Sequence, residues 1–191
     1  MKNKISILLS ACIFLCLIAA PGSALAQFNS SKNPAPIGSP VKDMVELGSV
    51  YSNIYDITIT VLETARGNDA MRLLKKADSK IKKPSKGFEY ILARVRFEMK
   101  ARAVSDKLTI IIGDSPLQWI ALTSELTEYT GVSVTVPEPA LKGTVKPGDA
   151  LEGWVAFAVD KKDKGPIMVF DPDTGGATGR GKTLFFKLFK D

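Results

Sequence analysis

The sequence predicts an all-β protein, a two-layer antiparallel β-sandwich with one short helix on a connection. Three observations predict it. Several segments alternate apolar and polar residues, glycine and proline turns separate them, and a single segment has helical spacing instead. The outward positions of the clearest strand are mostly charged, which indicates a sheet that is wetted on one side, as antiparallel sheets often are.

The clearest strand covers residues 91–100. Its buried face is predicted to hold Ile91, Ala93, Val95, Phe97 and Met99, with a mostly charged set between them. Similar patterns predict further strands at 55–61, 108–112, 117–122, 131–136, 154–159, 167–170 and 184–189. About eight short strands between turns are typical of a sandwich.

One segment between Asn68 and Lys82 has helical spacing, because its apolar residues recur every three or four positions. Asn68 or Asp69 can cap its start, and Pro84 and Gly87 can end it. The segment is also basic. Residues 64–87 contain two acidic residues, Asp69 and Asp78, and eight basic ones: Arg66, Arg72, Lys75, Lys76, Lys80, Lys82, Lys83 and Lys86.

The first 26 residues have the layout of a signal peptide: lysines, an apolar run over 5–20, and a small-x-small motif ending at Ala26. We expect cleavage between Ala26 and Gln27 and a location outside the cytoplasm, either secreted, periplasmic or on the cell surface. The membrane is then a partner only before cleavage. Two alternatives stay open: a retained anchor, for which sixteen residues is short, and lipidation at Cys12, which the apolar residues after it disfavour.

Residues 27–47 are rich in Asn, Ser and Pro, and we predict a flexible leader there. Residues 48–191 are predicted to form one domain. Cleavage leaves 165 of the 191 residues, enough for a core without disulfides. Both cysteines, Cys12 and Cys16, lie before the cleavage point, so the mature chain has none.

Residues 176–183, GATGRGKT, match the phosphate-loop pattern G-x-x-x-x-G-K-[ST] at every fixed position. That loop needs a following helix whose N–H groups point at the phosphates. Only eight residues follow Thr183, and their aromatic content favours a strand. We therefore predict a glycine-rich loop and no nucleotide. Asp171 and Asp173 suggest calcium, but Lys182 at the twelfth position excludes an EF-hand, and only a looser calcium site stays open.

The sequence has few of the residue types that catalytic sites usually contain. The chain has no histidine and the mature form no cysteine, which removes the usual metal ligands and nucleophile pairs. We predict no catalytic residue, no cofactor and no metal ligand. A carboxylate-based glycoside hydrolase is the enzymatic alternative, with candidates Glu125, Glu128, Glu138 and Glu152. Trp119 and Trp154 are expected in the core between the sheets.

Three segments in order, residues 87–95, 146–157 and 182–188, resemble the exported immunoglobulin-like domains of unknown function related to secreted immunoprotective antigens. These domains are common in prokaryotic cell-envelope proteins and often lipid-anchored. The resemblance implies an immunoglobulin-like sandwich, an extracellular location and no known catalytic residues. This chain departs from the family at Met99–Arg102, where an Asn-Ser or Asn-Thr is usual, and in its longer basic excursion.

The function predicted is therefore a secreted or cell-envelope noncatalytic binding module. Its candidate contacts with an anionic envelope polymer or a protein are Lys75, Lys76, Lys80, Lys82 and Lys83. Two alternatives are a structural envelope protein and a lysine run that is only a solvated helix face. Nucleic acid is not expected. Once Lys2 and Lys4 are removed with the signal peptide, the chain has 24 basic and 20 acidic residues. This net charge of +4 is modest for a protein that binds a phosphate backbone.

Overall fold

The structure, a computed structural model, describes residues 29–48, 53–102, 108–113, 118–172 and 179–190. Ten strands and one helix form within these ranges. They are β1 (Val41–Leu47), β2 (Asn53–Arg66), α1 (Asn68–Ala77), β3 (Phe88–Ala101), β4 (Ile110–Ile112), β5 (Trp119–Leu122), β6 (Gly143–Val145), β7 (Ala150–Asp160), β8 (Ile167–Phe170), β9 (Gly179–Gly181) and β10 (Leu184–Lys187).

The larger sheet has the order β7-β3-β2-β1-β9, and every pairing in it is antiparallel. Strand β3 has the alternation that the sequence predicted. Its inward residues Ile91, Ala93, Val95, Phe97 and Met99 are fully buried, while Arg96 and Lys100 on the other side are exposed. The strand therefore presents one apolar face to a second layer.

The second layer consists of a three-stranded sheet, β10-β8-β5, and a two-stranded sheet, β4-β6. Apolar side chains of both layers form one core. The Phe170 ring lies 5.8 Å from that of Phe97 and 4.8 Å from that of Trp119. The predicted fold class, an antiparallel sandwich with one short helix, is confirmed, and so is the core position of Trp119.

Strand β1 corrects the prediction of a flexible leader over residues 27–47. It lies between β2 and β9, and Val45 and Leu47 are buried in the core. The preceding chain is also paired, because Ala35 bridges to Phe186 of β10. Composition was misleading here: Val41, Val45 and Leu47 do alternate inward, but prolines and serines just before them hide the pattern.

Residues 131–136 correct a second prediction, since they form no strand in the structure. Val132, Val134 and Val136 are nevertheless partly buried and pack into a small apolar cluster on the outer face of the larger sheet. Alternation predicts which side chains are buried, and here the side chains pack without a backbone partner. The segment is a cover for the sheet.

Helix α1 packs into the same outer cluster. Ala70 and Leu74 are fully buried there beside Tyr90 and Leu92 of β3. The predicted helix is confirmed but ends at Ala77, where Asp78 turns extended. Trp154 of β7 also lies in this cluster and is only half-buried, so its predicted position between the sheets is wrong. The outer face is thus covered at one end and open at the other.

Candidate binding surfaces

The first candidate surface is the end of α1 and the loop after it. Because Ala70 and Leu74 anchor the helix, Lys75 and Lys76 in its last turn point outward and are exposed. Cations are favourable there because a helix C-terminus carries partial negative charge. Lys80, Lys82, Lys83 and Lys86 follow on the loop and are exposed too. We call these six lysines the basic segment.

The lysines of the basic segment are electrostatically uncompensated. In the described part of the chain, none of them forms a salt bridge. Arginines behave differently: side chains that pair with a carboxylate include Arg66, Arg72, Arg94, Arg96 and Arg102. Exposed lysines elsewhere in the described chain, such as Lys161 and Lys162, also lack a salt bridge. What distinguishes the basic segment is density, because all five predicted lysines, together with Lys86, are exposed within residues 75–86.

A shallow depression of about 480 Å³ lies on α1 itself, lined by Asn68, Met71, Arg72, Lys75 and Lys76. Arg72 is held by Asp69 at 2.9 Å, so the two lysines supply its free charge. A depression this open does not enclose a small molecule. It suits a chain that lies along the helix.

The second candidate surface is the open end of the outer face of the larger sheet. It comprises the outward-facing residues of 42–46, 54–58 and 98–102, and we call it the open face. Met44 and Ile54, 42% and 46% exposed, are diagonal neighbours on it. A depression of about 750 Å³ lies beside them, lined by charged side chains such as Lys42, Glu98 and Lys100.

Sequence reasoning missed the open face. Its residues occupy the polar positions of well-formed strands, which are ordinarily just solvated. The signal that could have found it is the pair of apolar residues, Met44 and Ile54, at outward positions. Two charged pairs also lie on it or at its border, Arg102 with Asp56 at 2.8 Å and Arg96 with Glu98 at 3.1 Å.

The four carboxylates of the hydrolase alternative have different surroundings. Glu152 pairs with Arg94, which also pairs with Glu63 at 3.2 Å. The hydrogen bond to Glu63 leads the causes that raise the pKa of Arg94, and the charge of Glu152 adds to it. Glu138 accepts the N–H of Ala140. The remaining two, Glu125 and Glu128, are exposed near the end of β5.

Metal ligands do not gather in the structure: across the described ranges, no three Asp, Glu, His or Cys side chains form a group that could hold an ion. The calcium hypothesis falls mainly on residues 173–178, outside those ranges, as do the first three residues of the phosphate-loop match, 176–178. From residue 179 the chain is described again. Gly179–Gly181 pairs with β1, and Leu184–Lys187 pairs with β8 in the other layer. A strand thus occupies the place where a phosphate loop needs a helix.

The predicted cleavage site, Ala26 and Gln27, and the alternative lipidation site Cys12 lie outside the described residues. Among the helices of the described chain, none has the length and apolar character to cross a membrane.

No protein family and no curated protein match the sequence. Among solved structures, the chain is similar to a crystal structure of a candidate lipoprotein (ycdA) from Bacillus subtilis subsp. subtilis str. 168. The two are 15% identical, the TM-score is 0.43, and the match covers 69% of this chain and 36% of that chain. This chain thus spans about a third of that protein's length. The likeness is too distant to support a conclusion about function.

Proposed function

We propose that this protein is a noncatalytic binding module that works outside the cytoplasm, with the basic segment binding an anionic polymer of the cell envelope. One observation carries the proposal: six exposed lysines without carboxylate partners follow one another over residues 75–86, on a helix and loop anchored to the sheet. The signal-like residues 1–26 support the location.

The shape of the surface favours a polymer over a small ligand. Small molecules are usually bound in concave sites that bury most of their surface, and the depression on α1 is open. A polymer with repeated negative charges can contact several lysines at once, and its binding then depends on salt, because exposed charges are screened over about 10 Å at 0.1 M.

The finer parts of the proposal have separate support. The immunoglobulin-like subclass of the sandwich is supported by the three resembling segments of the sequence. The noncatalytic role is supported by the lack of histidine in the chain and of cysteine after residue 26. A structural role in the envelope is the alternative, and it does not require the basic segment.

The test is a charge reversal with a matched control. Lys75, Lys76, Lys82 and Lys83 are replaced by Glu in one variant. In the control, Lys146, Lys161, Lys162 and Lys164, exposed lysines on other loops, are replaced by Glu. Both variants change the net charge equally. Retention on an anionic cell-wall polymer is measured against salt concentration.

We expect the first variant to bind at least about tenfold more weakly, since each exposed ion pair contributes a few tenths of a kcal/mol and reversal adds repulsion. The control is expected to bind nearly like the wild type. Equal losses in both variants show a general effect of net charge, and unchanged salt-dependent binding in the first variant removes the basic segment as the site. Either result overturns the proposal.

A further inference from the structure

We propose that the open face binds a second copy of this chain, forming a two-fold symmetric dimer. The proposal is independent of the basic segment, which lies at the covered end of the same sheet. It rests on the register of β1, β2 and β3, which places charged and apolar side chains of the open face in three rows across the strands.

The rows follow directly from the pairing. The first contains Lys42, Thr58 and Glu98, and the second contains Met44, Asp56 and Lys100. In the third, Glu46 pairs with Ile54, and Arg102 donates its backbone N–H to the Ile54 carbonyl oxygen. In the first and third rows, the two flanking strands carry opposite charges, with β2 between them.

This arrangement is self-complementary. When two open faces meet about a two-fold axis that runs along β2, each β1 residue meets the β3 residue of the same row in the other copy. Lys42 then meets the partner's Glu98, and Glu46 meets the partner's Arg102. Ile54, 46% exposed in one copy, lies on the axis and meets the partner's Ile54.

The middle row fits the same arrangement. Met44 meets the partner's Lys100, whose aliphatic stem can cover the thioether. Asp56 lies on the axis opposite the partner's Asp56, a like-charge contact. This repulsion is offset within each copy, because the Arg102 guanidinium donates a hydrogen bond to Asp56 of the same chain at 2.8 Å. The charges of the face sum to zero in each copy, because Lys42, Lys100 and Arg102 offset Glu46, Asp56 and Glu98, and an apolar contact lies at one end of the axis.

The size of the face sets the expected strength. Nine residues per copy is well below the roughly 20–30 residues a side of a standard stable interface. We therefore expect a weak dimer that forms as protein concentration rises, and that weakens with salt because its ion pairs lie near the rim.

The test uses protein expressed from the full-length coding sequence and purified in the form that cells make, with sedimentation equilibrium as the measurement. Lys42→Glu and Glu98→Lys each place like charges opposite one another in a homodimer. We expect each to weaken self-association by about tenfold or more. An equimolar mixture of the two variants restores opposite charges at both contacts, so mixed dimers should form where neither variant alone dimerises.

Ile54→Asp provides an apolar test, with Ile111→Asp as its control. Ile111 is similarly exposed, 42%, but lies on β4 in the other layer. We expect only Ile54→Asp to abolish the dimer, and thermal unfolding checks that both variants fold. A wild-type monomer at all concentrations overturns the proposal. So does a dimer that ignores the charge variants or responds equally to the two isoleucine variants.

Discussion

Single residues at one end of the sandwich join loops that are distant in sequence. The Tyr129 hydroxyl donates to Asp163 Oδ2 at 2.8 Å, and the same carboxylate accepts the N–H groups of Ser124 and Gly165. Arg66 donates to the backbone oxygen of Asp163 and pairs with Glu89. Because Tyr129 is buried, its hydroxyl depends on this partner.

This contact predicts a pH dependence of stability. Burial, and then the hydrogen bond to Asp163, raises the pKa of Tyr129 to about 12, whereas an unfolded tyrosine has a pKa of about 10. The folded state therefore favours the protonated form. Its contribution is complete below pH 10 and is lost as the pH rises through about 12, for a total of about 2–3 kcal/mol.

Urea unfolding of the wild type and of Tyr129→Phe, compared between pH 9 and pH 12, checks this prediction. The two proteins differ only in the hydroxyl of residue 129, so the difference between their stabilities isolates the tyrosine. We expect the wild type to be more stable at pH 9 and its advantage to shrink towards pH 12. A difference that stays constant across the range contradicts the assigned pKa.

A second residue, Gln118, is the buried polar side chain of the described core, 1% exposed. Its Oε1 accepts the N–H of Gly113 and its Nε2 donates to the carbonyl oxygen of Ile111. Both amide groups are satisfied, as burial requires. The sequence indicated a turn after residue 112. It did not indicate that Gln118 would be buried and hydrogen-bonded to the end of β4.

At the scale of elements, α1 depends on tertiary contacts for its stability. Ten residues are too few for an isolated helix to be stable in water, so the burial of Ala70 and Leu74 against β3 holds it in place. The basic segment is positioned by the same contacts. Its lysines contribute little to the fold, because they are exposed and unpaired.

Leu74→Ala is therefore expected to destabilise the protein by about 2–5 kcal/mol, the usual cost of truncating a buried leucine. Amide hydrogen exchange should quicken more in α1 than in β2 or β3. Lys75→Ala, one position along and exposed, serves as the control and should change stability by less than about 0.5 kcal/mol. Equal effects of the two substitutions contradict the anchoring role of Leu74.

Gly153 of β7 is a position that no other residue can occupy without moving the backbone. A Cβ added at Gly153 meets the backbone of Ala140 at 2.3 Å. The chain at 139–141 crosses directly over this glycine, and Trp154 exchanges backbone hydrogen bonds with Pro139 and Leu141 there. The glycine was part of the resembling segment 146–157, and the structure gives its physical reason: the backbone around Ala140 passes too close for any side chain.

At the scale of the whole molecule, β9 and β10 are edge strands of two different layers. Strand β9 adds to the larger sheet, and β10 adds to the three-stranded sheet two residues later. The GKT sequence therefore spans a crossing between layers. Its lysine and threonine are followed by a strand whose residues Leu184 and Phe186 are buried in the core.

This topology predicts that Mg-ATP does not stabilise the protein. A ligand at a hundred times its Kd adds about 2.7 kcal/mol to the free energy of unfolding, which is easily seen as a rise in Tm. We expect no rise beyond that produced by inorganic triphosphate at equal ionic strength, which controls for general anion binding. A rise specific to ATP contradicts the assignment of GATGRGKT as a connecting loop.

The sequence by itself determined the fold class, the inward face of β3, the short helix and its basic side. These depend on periodicity and local charge, which are properties of neighbouring residues. Tertiary structure decided the rest: that Val41–Leu47 is a strand inside a sheet, that 131–136 is a cover, that Trp154 faces outward, and that three rows of side chains form an open face. Each depends on which distant segment lies alongside. Lys42 and Glu98, for example, share a row only because β2 pairs with both of their strands, and a local pattern specifies which side of a strand is buried but not which strand lies beside it.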